Sequence, residues 1–322
     1  MRVAQNGRFR LRWLRSGGVL GPMFEEAQLY SPVTQCEDGR VEVHLGADHP
    51  GFHDEHYRAR RNAIAAGAVA WSPGDPVPQV AYTDEENAIW ATVSRELHVK
   101  HEKYACAEYL RAKEALGLPE DQVPQLDFVS SRLRPLTGWS YWPAPGLVEL
   151  REFYGSLGER VFHSTQYVRH PSEPLYTPEP DVIHEVIGHG NMLASPRFAG
   201  LKEAAGKAAL RVETAEALQV IADVFWFTLE FGVLWEGSEL KAYGAGILSS
   251  YGEIEEFRQM EIRPLDFAEM ASIEYDITKY QPVLYAAASM DELEARVGEF
   301  FTGADDDTPA RLGAGRGVAT GG

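Results

Sequence analysis

Helical periodicity dominates the chain from Asp48 to about Thr302, and strand-like alternation is confined to short stretches before it. Thr83 and Glu86 match a capping box, in which each side chain satisfies the other's free backbone N–H. They predict a long helix running through Leu110. Ser289 and Glu292 predict in the same way a last helix ending near Phe301. Arg8, Arg10, Arg12 and Arg15 alternate with Phe9, Leu11 and Trp13 or Leu14, the pattern of a half-exposed strand, and Val41-Glu42-Val43-His44-Leu45 suggests another. The proline-rich segment from Arg134 to Gly146 predicts a loop, followed by a short helix carrying Arg151, Glu152 and Phe153. From Gly303 onward, Asp305-Asp306-Asp307 and many Gly and Ala predict a disordered tail. The expected architecture is mainly α with small β elements. It comprises an N-terminal β extension over 1–47, a single catalytic domain over 48–302 and a tail over 303–322.

At 322 residues and 44% hydrophobic content the chain can bury a sizeable core. Its net charge of -18 argues against a nucleic-acid or anionic-membrane partner, because a polyanion would be repelled. Cys36 and Cys106 have no framework spacing, and neither a signal peptide nor a long apolar span is present. A reducing cytoplasm is the expected setting.

The candidate chemistry centres on Pro178-Glu179-Pro180-Asp181-Val182-Ile183-His184-Glu185-Val186-Ile187-Gly188-His189. In the zinc-protease pattern two histidines stand at i and i+4 and share a helix face. Here they stand at i and i+5, which on a regular α-helix places them about 140° apart. They converge on one ion only if the helix ends or distorts between them, and Gly188 and Gly190 permit that. A third ligand is offered by Glu230, which interrupts the apolar run Val224 to Gly232, since a carboxylate in such a run is rarely buried without a positive partner. Two imidazoles and one carboxylate form the facial triad of non-haem Fe(II) oxygenases.

The residues around this motif carry a resemblance. Arg160-Val161-Phe162-His163-Ser164-Thr165-Gln166-Tyr167-Val168-Arg169-His170 and Leu175-Tyr176-Thr177-Pro178-Glu179-Pro180-Asp181 resemble the pterin-dependent aromatic amino acid hydroxylases. So do Asp48-His49-Pro50-Gly51-Phe52, Tyr57-Arg58-Ala59-Arg60-Arg61 and Lys241 to Ser250, and the likeness covers roughly residues 48 to 302. It implies that His184, His189 and Glu230 hold Fe(II), and that Gly146, Leu147, Val148, Phe153, His163, Glu185, Ala222 and Phe225 line a tetrahydropterin site. It implies that Arg169, held by Asp181, clamps the substrate carboxylate, with Glu185, Arg169 and Asp181 as the catalytic polar groups. Thr177, Pro178, Trp226, Phe231, Gly246 and Ser249 would form the aromatic-ring pocket and its support. O2 is the oxidant and the reduced pterin the electron-supplying co-substrate. No GxGxxG follows a predicted strand, so no nicotinamide or flavin site is visible.

Departures from the family pattern bear on the product. Gly190 and Asn191 replace a usual valine and proline and are expected to alter the wall beside the metal, and Phe225 replaces a tyrosine. Ile277 stands where tyrosine hydroxylases carry an acidic residue, and Trp226 matches the phenylalanine and tyrosine hydroxylases. Phenylalanine to tyrosine is therefore the expected reaction, with meta-tyrosine formation or tryptophan hydroxylation as alternatives. The animal enzymes' regulatory domain and tetramerisation helix have no counterpart, so a monomer or dimer is expected. Readings from other classes are a zinc hydrolase with Glu185 as base and a catalytically silent binding homologue. A second iron site at His53 and Glu55 is outweighed by a solvated helix face.

Overall fold

The computed structural model describes residues 31–146, 148–275 and 280–313. The alternation at Arg8 to Leu14 lies outside the described residues, as do Leu147 and Ile277. The chain opens on an antiparallel hairpin of β1 (Val33–Gln35) and β2 (Val41–Val43). Buried Val41, Val43 and Leu45 seat it on Ala65 of α1 (Glu55–Ala70), whose amino end Asp54 caps by accepting from Tyr57 N.

The Thr83–Glu86 box is present with both reciprocal bonds, but the helix it starts, α2 (Asp84–Tyr104), stops six residues short of the expected Leu110. Ala105 bridges Ala242 and Cys106 N donates to Ala242 O, so a strand captures the backbone and α3 (Ala107–Leu116) begins afresh. The loop expected over Arg134 to Gly146 is likewise replaced in part by structure. Helix α4 (Leu126–Thr137) contains Pro135, and β3 (Ser140–Pro143) follows. Burial of Leu126, Val129 and Leu133 outweighs the one backbone bond that a proline removes near a helix end.

β3 pairs in parallel with β4 (Val161–Ser164) on either side of α5 (Leu150–Leu157). A π-helical segment, His184–Gly190, then runs into α6 (Asn191–Leu193). Ser195 caps the long α7 (Pro196–Arg211), and α8 (Ala215–Phe225) passes without a break into a second π-helical segment, Trp226–Glu230. The hairpin of β5 (Val233–Glu236) and β6 (Glu239–Ala242) is followed by α9 (Ala245–Ser249), α10 (Glu253–Glu256), β7 (Glu261–Pro264), α11 (Phe267–Met270) and β8 (Val283–Ala287). These strands form one sheet in the order β6-β5-β8-β7, with β8 parallel to both neighbours. Helix α12 (Met290–Gly303), capped by Ser289, packs along α7, which is also covered by α5.

Disorder expected from Gly303 does not hold for residues 303–313. They include α13 (Thr308–Leu312); Asp305 pairs with Arg311, and Asp306 accepts from the N–H groups of Glu213 and Thr214 ahead of α8. These carboxylates cap and pair, whereas the run of like charges reads as solvated coil. Among the described residues no helix is long and apolar enough to cross a membrane.

His101 ties α2 to α9: it is buried, and its Nε2 lies 2.6 Å from Leu248 O. Burial, aided by Lys113, pulls its pKa down to about 3. A folded-state pKa below the unfolded value means that the stabilisation is complete above about pH 6.5 and is lost as pH falls towards 3. Chemical denaturation across that range should show wild type losing stability more steeply than His101→Gln, which keeps a donor without titrating. Parallel profiles would show that His101 takes up no proton on unfolding.

Candidate metal centre and its surroundings

In a π-helix the backbone bonds run from i to i+5, so residues five apart fall on the same side. His184 and His189 obey that spacing, and their Nε2 atoms lie 3.1 Å apart. Glu230, the last residue of the second π-helical segment, brings Oε1 to 3.0 Å and Oε2 to 3.9 Å from the Nε2 atoms of His189 and His184. Ligands about 2.1 Å from a shared ion and at right angles to one another stand about 3 Å apart, so the three donors fit one metal. Among the described residues they form the sole group of this kind, and His53 and Glu55 are exposed.

Local packing, not a left-handed helix end, requires glycine here. A Cβ on Gly188 would stand 2.8 Å from Ala245 O, so the glycine lets α9 reach the metal segment, while Gly190 keeps a right-handed φ of -60. Through that approach Ser249 Oγ lies 2.8 Å from His184 Nδ1 and donates to Ala245 O. His184 is thereby set as the Nδ1–H tautomer with its Nε2 lone pair free, as a metal requires. On the other ligand, Lys202 Nζ lies 2.8 Å from His189 Nδ1. Burial keeps both imidazoles neutral, with His184 lowered to about 4 and His189 pushed well down. Burial raises Glu230, and burial followed by the Glu230 charge raises Glu185 well above the carboxylate range.

Beside the triad runs a chain of rings: Phe153 meets Phe162 at 5.7 Å between centroids, and Phe162 meets His189 at 4.6 Å. Phe225 lies 5.0 Å from Tyr154, with Ala222 buried one turn earlier on α8. His163 is buried with its Nδ1 unpartnered among the described residues, and burial lowers its pKa to about 4. An orphaned ring nitrogen and a buried carboxyl beside aromatic walls suit a flat, polar heterocycle such as a pterin. Gly146 and Val148 lie in the β3–α5 connection, Gly146 against Val33 of the hairpin.

Arg169, 4% exposed, gives its Nε and Nη2 to Asp181 at 2.9 Å each. Asp181 Oδ1 also accepts from His184 N, so the pair is anchored to the metal segment itself. Trp226 and Phe231 pack at 4.6 Å between centroids, Gly246 lies directly against Phe231, and Thr177 Oγ1 donates to Glu179 O beside half-buried Pro178. The loop between Arg169 and Asp181 is pinned by a second buried cluster whose role the residue pattern did not disclose. Arg61 Nη1 donates to Glu179 Oε1 at 2.6 Å, His49 approaches the same oxygen at 3.3 Å, and the guanidinium sits 3.3 Å from the Tyr167 ring centre.

Gly190 and Asn191 do not form the expected wall beside the metal. A Cβ on Gly190 would face the Tyr141 hydroxyl at 3.2 Å, and Asn191 Nδ2 donates to Tyr109 Oη and Ile187 O. A cavity of about 510 Å3 on that far side is lined by Trp90, His98, His101, Lys113, Ile187 and Asn191, and by none of the three donors.

A helical domain that presents two histidines and one carboxylate to a single point, beside a run of packed aromatic rings, matches a non-haem metal oxygenase centre. The chain belongs to the biopterin-dependent aromatic amino acid hydroxylases, whose family model matches residues 33–307. The match takes in the β1–β2 hairpin, so the domain begins before the expected residue 48. The chain is 52% identical to phenylalanine 3-hydroxylase of Streptomyces coeruleorubidus, over 82% of this chain and 95% of that one. It is 42% identical to rat phenylalanine-4-hydroxylase over 80% of its length, spanning 58% of the rat protein. Among solved structures it resembles Chromobacterium violaceum phenylalanine hydroxylase with bound iron(III) and 7,8-dihydrobiopterin: TM-score 0.69, 28% identity, 78% of this chain and 92% of that one.

Burial alone would raise the Glu179 carboxyl, yet Arg61 and His49 hold it down at about 2. Removing the guanidinium leaves that buried charge without its cation, with His49 and Ser31 beside it. Arg61→Met should therefore destabilise the fold by about 3 to 5 kcal/mol, measured by urea denaturation, and a loss below about 1 kcal/mol would mean that the pair behaves as a surface salt bridge.

Proposed function

We propose that this chain hydroxylates the ring of free phenylalanine at the meta position, using Fe(II) held by His184, His189 and Glu230. The observation that carries the ring position is the 52% identity to a phenylalanine 3-hydroxylase across nearly its whole length. Para-hydroxylation to tyrosine, the product expected from the bulk of the family, is the second reading, favoured by the 42% identity to the rat 4-hydroxylase.

Bound iron and tetrahydropterin together supply the reductive activation of O2 that arene hydroxylation needs. The chain's own contribution is placement. His184 and His189 present lone pairs from Nε2, and Glu230 adds the single negative charge. Phe153, Phe162 and Phe225 give the pterin its apolar walls, while buried Glu185 and His163 Nδ1 face it with hydrogen-bonding groups. Arg169, its planar fork set by Asp181, takes the amino acid carboxylate. Trp226 and Phe231, with Gly246 behind them, hold the ring and keep water out, as Thr177 and Pro178 close the pocket at the loop. Ser249 acts through His184. The net charge of -18 and the free Cys36 and Cys106 support a cytoplasmic enzyme with a small-molecule substrate and no nucleic-acid or membrane partner.

Incubation of the iron-loaded protein with tetrahydropterin, O2 and phenylalanine, followed by separation of the tyrosine isomers, should give meta-tyrosine as the main product. Tyrosine as the sole product would overturn the ring position and leave the reaction class standing. Arg169→Lys keeps the charge but loses the fork, and should weaken phenylalanine binding by about 1.5 to 3 kcal/mol. Binding of phenethylamine, which has no carboxylate, should change little, and an equal loss for both compounds would remove Arg169 from carboxylate recognition.

A further inference from the structure

Trp226 opens the second π-helical segment, and its indole is held on three sides. It stacks on Tyr275, 5.1 Å between ring centres and 16° from parallel, and meets Phe231 at 4.6 Å. Aromatic pairs are favourable over a range of offsets, so neither contact fixes the indole within its own plane. The third contact does: Nε1 donates to Gln281 Oε1 at 3.3 Å, and a hydrogen bond has both length and direction. Gln281 is 1% exposed, so water does not compete for its amide as it would at the surface. Its own N–H donates to Glu253 Oε1 at 3.1 Å, and Glu253 N donates to Ser250 Oγ at 3.2 Å, directly after α9. Two residues further on begins β8, which is paired on both edges in the four-stranded sheet. Gln281 is thus a fixed point, and the indole edge hangs from it.

The geometry points to Gln281 as a positioning residue for ring position: its amide oxygen fixes the indole of Trp226 within its plane, and the indole fixes how the substrate ring sits. This rests on the reading above that Trp226 lines the ring pocket. One hydrogen bond is enough to matter, because attack at neighbouring ring carbons differs by a shift of about 1 Å. Gln281 acts through Trp226, not on the substrate itself. A glutamine that served only to fill the core would set stability and leave the isomer ratio alone.

The test is the ratio of tyrosine isomers that the iron-loaded full chain forms from phenylalanine, tetrahydropterin and O2, with KM for phenylalanine and for the pterin. Gln281→Met keeps length and burial but loses the acceptor. It should shift the isomer ratio by about 2- to 10-fold, the scale of one neutral hydrogen bond, and raise KM for phenylalanine while leaving that for the pterin unchanged. In a Trp226→Phe background, which has no indole N–H, the same substitution should move the ratio by less than about 2-fold, the limit for a broken coupling. A wild-type ratio in Gln281→Met overturns the proposal, and so does an equal shift in both backgrounds. If Gln281→Met fails to fold, Gln281→Asn decides, since it draws the amide back from the indole by one methylene: a shifted ratio supports the role and an unchanged one overturns it. Trp226→Phe alone separates the two claims. An unaltered ratio and phenylalanine KM there would bring down the ring pocket and this proposal with it, whereas an altered ratio there with none in Gln281→Met brings down this proposal alone.

Discussion

The structure depends on a departure from α-helical hydrogen bonding at two places. Wherever the backbone bonds i to i+5, the histidines of His184–Gly190 come to one side and Glu230 at the end of Trp226–Glu230 meets them. An α-helix through the same residues would throw His189 about 140° away from His184. The π-geometry bonds less well than an α-turn and survives mainly as short functional insertions. Here the first segment is held in the core: α9 presses on Gly188, Tyr109 Oη donates to Ile187 O, and Tyr141 Oη donates to Glu185 O. Three other elements, α9, α3 and β3, thus take up backbone carbonyls or space on it. That support makes the irregular turn the lowest-energy choice.

Polar groups enter the core as closed sets, for an unpaired buried charge costs several kcal/mol. The triad with Ser249 and Lys202 is one set; Arg169 with Asp181 is a second; Arg61, His49 and Glu179 form the third. They are physically consecutive. Asp181 bonds both Arg169 and the N–H of His184, and Glu179 stands two residues earlier on the same strand of chain. A substrate carboxylate at Arg169 would therefore be registered against the metal through a single aspartate, without a mobile loop between them. Rigidity of that order suits a reaction in which the ring must sit within about an ångström of its productive place.

Much of this was legible in residue order, and the gaps have physical causes. Capping at Thr83 and Ser289 showed because it is local chemistry, written within four residues. The triad showed because a five-residue histidine spacing makes sense only on a distorted helix. The end of α2 did not show, since it is imposed by Ala242, more than a hundred residues away. Pro135 misled because propensity is weighed against burial that periodicity does not measure. The triple aspartate misled because one of its members caps the turn before α8 from a distance. Lys202 left one signal that was passed over: a cation in step with the apolar face of α7, much as Glu230 was a carboxylate in an apolar run. Leu147 and Ile277 lie outside the described residues.

Ring position is a question of where the arene sits, and the packing limits which residues can answer it. Gly190 ends the metal segment and Asn191 follows it, but both face Tyr141 and Tyr109 rather than the three donors, so they act through the backbone that carries Glu185 and His189. A valine at 190 would crowd the Tyr141 hydroxyl, which holds the Glu185 carbonyl, and a proline at 191 would delete the N–H that bonds Val186 O. Both changes act on the seat of Glu185. On the reading proposed above, contact with the ring falls to Trp226, Phe231 and the backbone at Gly246, which pack against one another. A difference of one carbon on the ring is a shift of little more than 1 Å. The stack of Trp226 on Tyr275, 5.1 Å between centroids, and its bond to Gln281 are where such a shift is most directly made.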